Sequence, residues 1–244
     1  MLFAMLQDNF VKQFFKRLRL FLLKTILWFL GLSIGFTLLY RFVPVPFTIL
    51  MVQRSVEQLI DGKEMRLNKN WVSWNEISTP MKLAVIASED QQFFNHSGFD
   101  LKAIEKATKF NEKQAKKKKK KLRGASTISQ QTAKNVFLFP ARSWFRKGLE
   151  VYFTFLIEVF WSKERILEVY LNVIETGDGI YGVDAAAQNY FGITAKALNR
   201  NQAAAIAAIV PNPRKWSAVR PSAYVARRKA WILNQMNNVS LNAE

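Results

Sequence analysis

Between Leu20 and Tyr40 the chain runs twenty-one residues with a single charge, Lys24. In a helix that length covers about 31 Å, close to the hydrocarbon thickness of a bilayer. Lys24 lies near one end, where its stem can carry the ammonium to the head groups. Lys12, Lys16, Arg17 and Arg19 precede the stretch against Asp8 alone. Arg41 follows it, then nothing basic until Arg54. The positive-inside rule therefore predicts a cytoplasmic basic tail over 1–19, a membrane-spanning signal anchor over 20–42, and residues 43–244 outside. A cleaved signal peptide competes with this reading, but Arg41-Phe42-Val43-Pro44 offers no small-x-small cleavage site. A buried core helix is the third reading. Pro44 and Pro46 end the helix and begin a linker.

Composition narrows the partner. The chain has 36 Lys+Arg against 18 Asp+Glu, a formal charge of +18, yet half its residues are hydrophobic. A chain this apolar can bury a core, which excludes disorder. With no Cys, disulfide frameworks and Cys nucleophiles or ligands are excluded, and a single His argues against a His-rich zinc site. The basic excess calls for an anionic partner: nucleic acid, phospholipid head groups or a phosphorylated substrate. An exterior location argues against nucleic acid. Lys113, Lys116 through Lys121 and Arg123 place eight cations in eleven residues. Such a run reads as a mobile, solvated loop or as a contact for anionic lipid head groups.

Beyond the anchor nearly every segment has helical spacing. Val52–Ile60, Met81–Ser88, Leu101–Gln114, Ser126–Asn135, Lys163–Leu171, Ala185–Phe191, Gln202–Val210 and Ser222–Met236 are predicted helices. Trp144–Trp161 is apolar on almost all faces and is expected as a buried central helix. No period-2 run is long enough for a sheet, so the predicted class is all-α, with at most a short hairpin near the start. Trp71 and Trp74 suit either a membrane interface or an ordinary packed position.

Three segments carry chemistry. In 84–100, Glu89 follows an apolar helical turn and precedes Asp90, Phe93, Phe94 and the sole His96. Partial burial raises a carboxylate towards the range of a general base, whereas a plain helix end would use the acids on local donors. In 123–135, Ser126 and Thr127 can cap a helix, and a capped N-terminus attracts anions. Thr127, Gln131 and Lys134 or Asn135 fall at i, i+4, i+7 or i+8 and share one face, either a phosphate or sugar contact or a solvated stripe. In 146–158, Glu150 sits inside an apolar helix one turn after Arg146, as a structural ion pair or as a charged pocket wall.

Together these segments resemble the monofunctional biosynthetic peptidoglycan transglycosylases, stand-alone relatives of the glycosyltransferase domain of bifunctional penicillin-binding proteins. Glu-Asp-x-x-Phe-x-x-His-x-Gly (89–98), Gly-x-Ser-Thr-Ile-x-Gln-Gln (124–131) and Arg-Lys-x-x-Glu (146–150) match the family's first three motifs in order. Ser-Lys-x-x-Ile-Leu-Glu-x-Tyr-Leu-Asn (162–172) and Tyr-Gly-Val-x-Ala-Ala-Ala-x-x-Tyr-Phe-Gly (181–192) match further ones. Ala125 stands where Gly is frequent and Ser129 where Thr is frequent. Neither change removes a group that the chemistry needs.

The resemblance implies a lysozyme-like helical domain behind the anchor. It implies polymerisation of lipid II into β-1,4 glycan strands with release of undecaprenyl diphosphate, at the bacterial inner membrane with the catalytic domain periplasmic. Glu89 is then the general base and Glu150 the second carboxylate of the site, orienting Arg146, lining the donor site or holding a metal ion. Asp90, Thr127, Gln131, Lys134, Asn135 and Arg146 bind sugars and phosphates, while Phe93 and His96 are structural. A pyrophosphate leaves readily once its charge is neutralised, so cations or a metal replace a strong general acid. No cofactor is required, and a divalent cation can be accommodated. The implied partners are lipid II, the growing lipid-linked glycan, anionic lipids of the inner membrane and cell-wall synthesis or division proteins, with no nucleic acid. The end at Glu244 leaves no room for a transpeptidase domain. A lytic enzyme on the same fold and a non-enzymatic basic membrane protein are the competing readings.

Overall fold

The computed structural model describes residues 2–115, 124–141 and 143–242, so the run Lys116–Lys121 and Arg123 lie outside the described residues. The chain divides into two compact units, Met1–Val43 and Pro44–Glu244. In the first, α1 (Leu2–Phe42) is one continuous helix. Its stretch Gln13–Phe42 is long and apolar enough to cross a membrane as a single-pass anchor. The basic segment expected as a separate tail belongs to the same helix. No Gly or Pro interrupts residues 2–30, and Leu, Met, Lys and Arg favour helix. The hydroxyls in the span donate back along the helix, Thr25 to the Phe21 carbonyl (3.0 Å) and Thr37 to that of Ser33 (2.7 Å). Polar groups are thereby satisfied without water, as a bilayer core requires.

The second unit is helical. Thr48 caps α2 (Ile49–Ile60), and Ser78 with Pro80 starts α3 (Thr79–Glu89). Then come α4 (Leu101–Ala115), α5 (Ile128–Phe137), α6 (Trp144–Phe160) and α7 (Lys163–Val173). The chain continues through α8 (Val183–Phe191), α9 (Arg200–Ile209) and α10 (Ala223–Gln235). Thr127, Ser143, Ser162, Asn199 and Ser222 each accept a backbone N–H at a helix start, satisfying donors that have no partner within the helix.

The core lies between α3, α9 and α10 on one side and α5, α6 and α7 on the other. In α9, Ala203, Ala204, Ala207 and Ala208 are fully buried, so the small side chains let α3 and α10 approach closely. In α7, Ile166, Leu167, Val169, Tyr170 and Leu171 are all at 0 % exposure. α7 is the buried helix, and α6 is not. Trp144, Phe145, Val151, Phe155 and Val159 of α6 are exposed, while Phe153, Leu156 and Ile157 face α5. An all-round apolar pattern shows that both faces avoid water, without showing that protein covers both.

The hairpin expected near the start is instead late in the chain. β2 (Glu175–Gly177) and β3 (Ile180–Tyr181) pair antiparallel, and β1 (Asn68–Lys69) joins β3 in parallel. Strands of two or three residues are too short for period 2 to register. Gly179 has φ +71°, and a Cβ there would collide with the Arg66 carbonyl oxygen, so glycine is required. Trp71 and Trp74 are half-buried and occupied from within. Lys69 and Arg165 lie over the Trp71 ring at 5.3 and 5.2 Å, and Lys82 over that of Trp74 at 3.8 Å.

Candidate active site

The end of α3 and the start of α5 are stapled together. Asp90, 7 % exposed, closes α3 and turns its carboxylate inward. It accepts the Ile128 backbone N–H (3.0 Å) and faces His96 Nε2 at 3.1 Å from both oxygens. An acid at a helix N-terminus also meets the positive end of the macrodipole. Thr127 caps α5 in a capping box with Gln130 and donates to the Gly98 carbonyl (2.6 Å). Gly98 has φ +85°, and a Cβ there would meet Thr154 Cγ2 at 2.9 Å. Phe93 is fully buried, and Lys163 lies over its ring at 4.7 Å while donating to the His96 carbonyl (2.6 Å) and to Glu158 (2.8 Å). Ser129 donates to the same Glu158 oxygen. Asp90, Thr127, Phe93 and His96 are thus engaged inside the fold.

That staple presents Glu89. Its Oε1 accepts from Ser88 Oγ (2.9 Å) and Arg228 Nη2 (3.2 Å), and its Oε2 from Gln131 Nε2 (3.2 Å). Arg228 Nη2 also donates to Ser88 Oγ (2.7 Å), and Tyr170 donates to Gln131 Oε1 (3.2 Å). Burial, reinforced by the charges of Glu89 and Asp90 and opposed by that of Arg228, raises the Tyr170 phenol well above its ordinary value, so the hydroxyl stays protonated and fixes the Gln131 amide. The Glu89 side chain keeps 14 % of its surface open, to a cavity of about 580 Å³ that Asp90, Thr127, Lys102, Lys106 and Trp231 also line.

A second cavity of about 410 Å³ is lined by Lys134, Asn135 and Arg146 together with Arg54. Glu150, 3 % exposed, pairs with Arg146 Nη1 (2.9 Å) and with Lys147 on its other oxygen. Among the described residues the Lys134 and Asn135 side chains make no hydrogen bond or ion pair. Lys134 is an exposed residue of α5, yet protein packed around its ammonium partly shields it from water. That desolvation lowers its ammonium from the ordinary lysine value, with Arg146 and Lys147 acting in the same direction and Glu150 and Glu89 opposing. The predicted α5 stripe divides between the two cavities. Gln131 turns to Glu89, and Lys134 and Asn135 turn to the second cavity.

The described residues offer a divalent ion no ready-made cage of protein ligands. Both Glu150 oxygens are taken by cations, and the described residues contain no group of three or more His, Asp or Glu that could hold a metal. Arg228 escaped the sequence reading because nothing local marks it. It lies 139 residues beyond Glu89 in an ordinary amphipathic segment, and only the packing of α10 on α3 brings the two together. Tyr170 and Arg54 are likewise brought in by packing, whereas Ser88, next to Glu89 in the chain, was in view and not singled out.

Comparison with known proteins identifies the family. The Transglycosylase family profile matches residues 55–237. A biosynthetic peptidoglycan transglycosylase of Pseudomonas fluorescens is 53 % identical over 225 residues, covering 91 % of this chain and 92 % of that one. One from Pseudomonas putida is 54 % identical over 216 residues (88 % and 89 %), and one from Bdellovibrio bacteriovorus 55 % over 219 (90 % and 86 %). With its helical, lysozyme-like unit behind one apolar N-terminal helix, the chain belongs to the transglycosylase family and is a peptidoglycan glycosyltransferase.

Proposed function

We propose that the enzyme polymerises lipid II, with Glu89 as general base and the second cavity as the seat of the donor's pyrophosphate. The observation that carries this is the engagement of Glu89. Every hydrogen-bond partner it has is a donor, and its open side faces a cavity large enough for a sugar. The 4-hydroxyl of the acceptor GlcNAc gives its proton to Glu89 as its oxygen attacks C1 of the donor's reducing-end sugar. The O4–C1 bond forms, the C1–O bond to phosphate breaks, and the electron pair leaves with undecaprenyl diphosphate. Attack from the side opposite the leaving group turns the α-linked donor into a β-1,4 product.

Charge develops on the pyrophosphate as that bond breaks. Lys134 and Arg146 neutralise it, Asn135 adds a neutral donor, and no strong general acid is needed. Glu150 holds Arg146 and Lys147 in place from a buried position, where an unpaired carboxylate would be costly. Gln131 and Arg228 fix the orientation of Glu89, and Asp90 and Thr127 hold the two catalytic segments together. In topology, 1–19 lies in the cytoplasm, 20–42 crosses the inner membrane and 43–244 is periplasmic, where lipid-linked donor and acceptor are both available.

The test is turnover of lipid II by the full chain in vesicles. Wild type gives polymeric glycan, and Glu89→Gln, equally folded by circular dichroism, gives none. Polymerisation by Glu89→Gln sinks the base assignment. Release of soluble fragments from sacculi without polymerisation of lipid II sinks the synthetic reading.

A further inference from the structure

We propose that Trp231 is the platform on which the apolar face of the acceptor sugar stacks, setting the distance of its hydroxyl from Glu89. This deepens the proposed function and rests on it for the identity of the reaction. The observations start from α10. Val225 and Ile232 bury its inner face, at 1 % and 0 % exposure. Arg228, Trp231 and Gln235, at i, i+3 and i+7, form a different stripe. Two members of that stripe are fixed to the segment around Glu89. Arg228 donates to Ser88 and Glu89, and Gln235 accepts from Gln91 Nε2 (3.1 Å). Trp231 lies between these two ties, so its position relative to Glu89 is set from both sides.

Trp231 is 45 % exposed, and that exposure lines the cavity of Glu89. Trp71, Trp74, Trp161 and Trp216 of the same unit all have a ring or a cation against them, and Trp144, which has neither among the described residues, lines neither of the two cavities. Among the described residues Trp231 has neither. An indole face is electron-rich and attracts the positively polarised hydrogens of a partner. A β-configured GlcNAc ring has its substituents equatorial and its axial C–H bonds on its faces, so one face suits an indole while the ring edge keeps its hydroxyls for polar groups. Glu89, Asp100, Lys102 and Lys106 line the same cavity and are suited to that edge. The ligand class this predicts is a β-linked N-acetylhexosamine at the non-reducing end of the acceptor.

The experiment compares full-length wild type, Trp231→Ala, Trp231→Phe and Trp231→Leu in vesicles, by initial rate against lipid II concentration. Trp231→Ala raises KM about 5- to 10-fold, with a smaller fall in kcat. Trp231→Phe returns KM to within about twofold of wild type, and Trp231→Leu, of comparable bulk without a π face, does not. An unchanged KM in Trp231→Ala, or equal rescue by Leu and Phe, overturns the platform. A second arm needs no turnover. The soluble β-1,4-linked GlcNAc disaccharide is titrated against wild type and Trp231→Phe while tryptophan fluorescence is read. A change in wild type that is lost in Trp231→Phe supports the platform, and identical responses overturn it. This arm stands even if Glu89→Gln still polymerises lipid II, so failure of the platform and failure of the base assignment are separable.

Discussion

The two cavities flanking α5 are built on opposite plans. Around Glu89 the polar groups are spent on one another: Tyr170 holds Gln131, Gln131 and Arg228 hold Glu89, and Ser88 joins Arg228 to the carboxylate. Around Lys134 the arrangement stays open. The Lys134 and Asn135 side chains have no partner among the described residues, whereas a buried arginine Nε is left unpartnered on each side, that of Arg146 here and that of Arg228 beside Glu89. A base must meet a neutral hydroxyl at a fixed distance, so its surroundings are worth fixing in advance. A pyrophosphate brings its own charges and can complete the ion pairs of the second cavity on arrival. One side is preorganised, and the other is finished by its ligand.

If this contrast is right, the two sides break differently. The largest effect is expected for Glu89→Gln, which should take lipid II polymerisation below detection, a loss beyond the ~10²- to 10⁴-fold worth of a general base, without moving the unfolding temperature. Next come Lys134→Ala and Arg146→Ala. Each should weaken donor binding by about 10- to 100-fold, the worth of a charge-assisted hydrogen bond, as read by competition with a non-hydrolysable lipid pyrophosphate. Unchanged donor affinity in both would erase the contrast. Arg228→Ala should cost about tenfold, in kcat rather than KM, and added guanidinium should restore part of the loss; a rise confined to KM would move Arg228 to the substrate side.

Two smaller effects sharpen the comparison. Asp90→Ala should lower stability by about 1–3 kcal/mol in thermal unfolding, because the Ile128 N–H at the start of α5 and His96 lose their shared partner together. Lys134 carries its charge only below its pKa, which crowding holds beneath the usual 10.5. Donor affinity should therefore fall as pH rises, beginning lower than for an exposed lysine, and Lys134→Arg should extend binding to higher pH.

The start of α5 was legible because capping is local: Thr127, marked as a capping residue, accepts the Gln130 N–H. The start of α9, read at Gln202, lies at Arg200 behind an Asn199 cap. The ordered motifs likewise marked Glu89, Gln131, Lys134, Arg146 and Glu150, and the fold brings Gln131 to Glu89 and Arg146 to Glu150. Arg228 and Tyr170 were not legible, because their positions in the site depend on how α10 and α7 pack. The small sheet escaped because two-residue strands carry no period. The reading of α6 as central failed because hydropathy reports a preference for leaving water and is silent on what replaces it.

That last point has a practical consequence. Trp144, Phe145, Val151, Phe155 and Val159 lie 45–92 % exposed in the second unit itself, so cutting away Met1–Val43 does not remove them. A truncated chain inherits a contiguous greasy flank and will self-associate through it unless an amphiphile covers it. The expectation for handling is that the catalytic unit elutes as a monomer only with detergent present, as its anchor does.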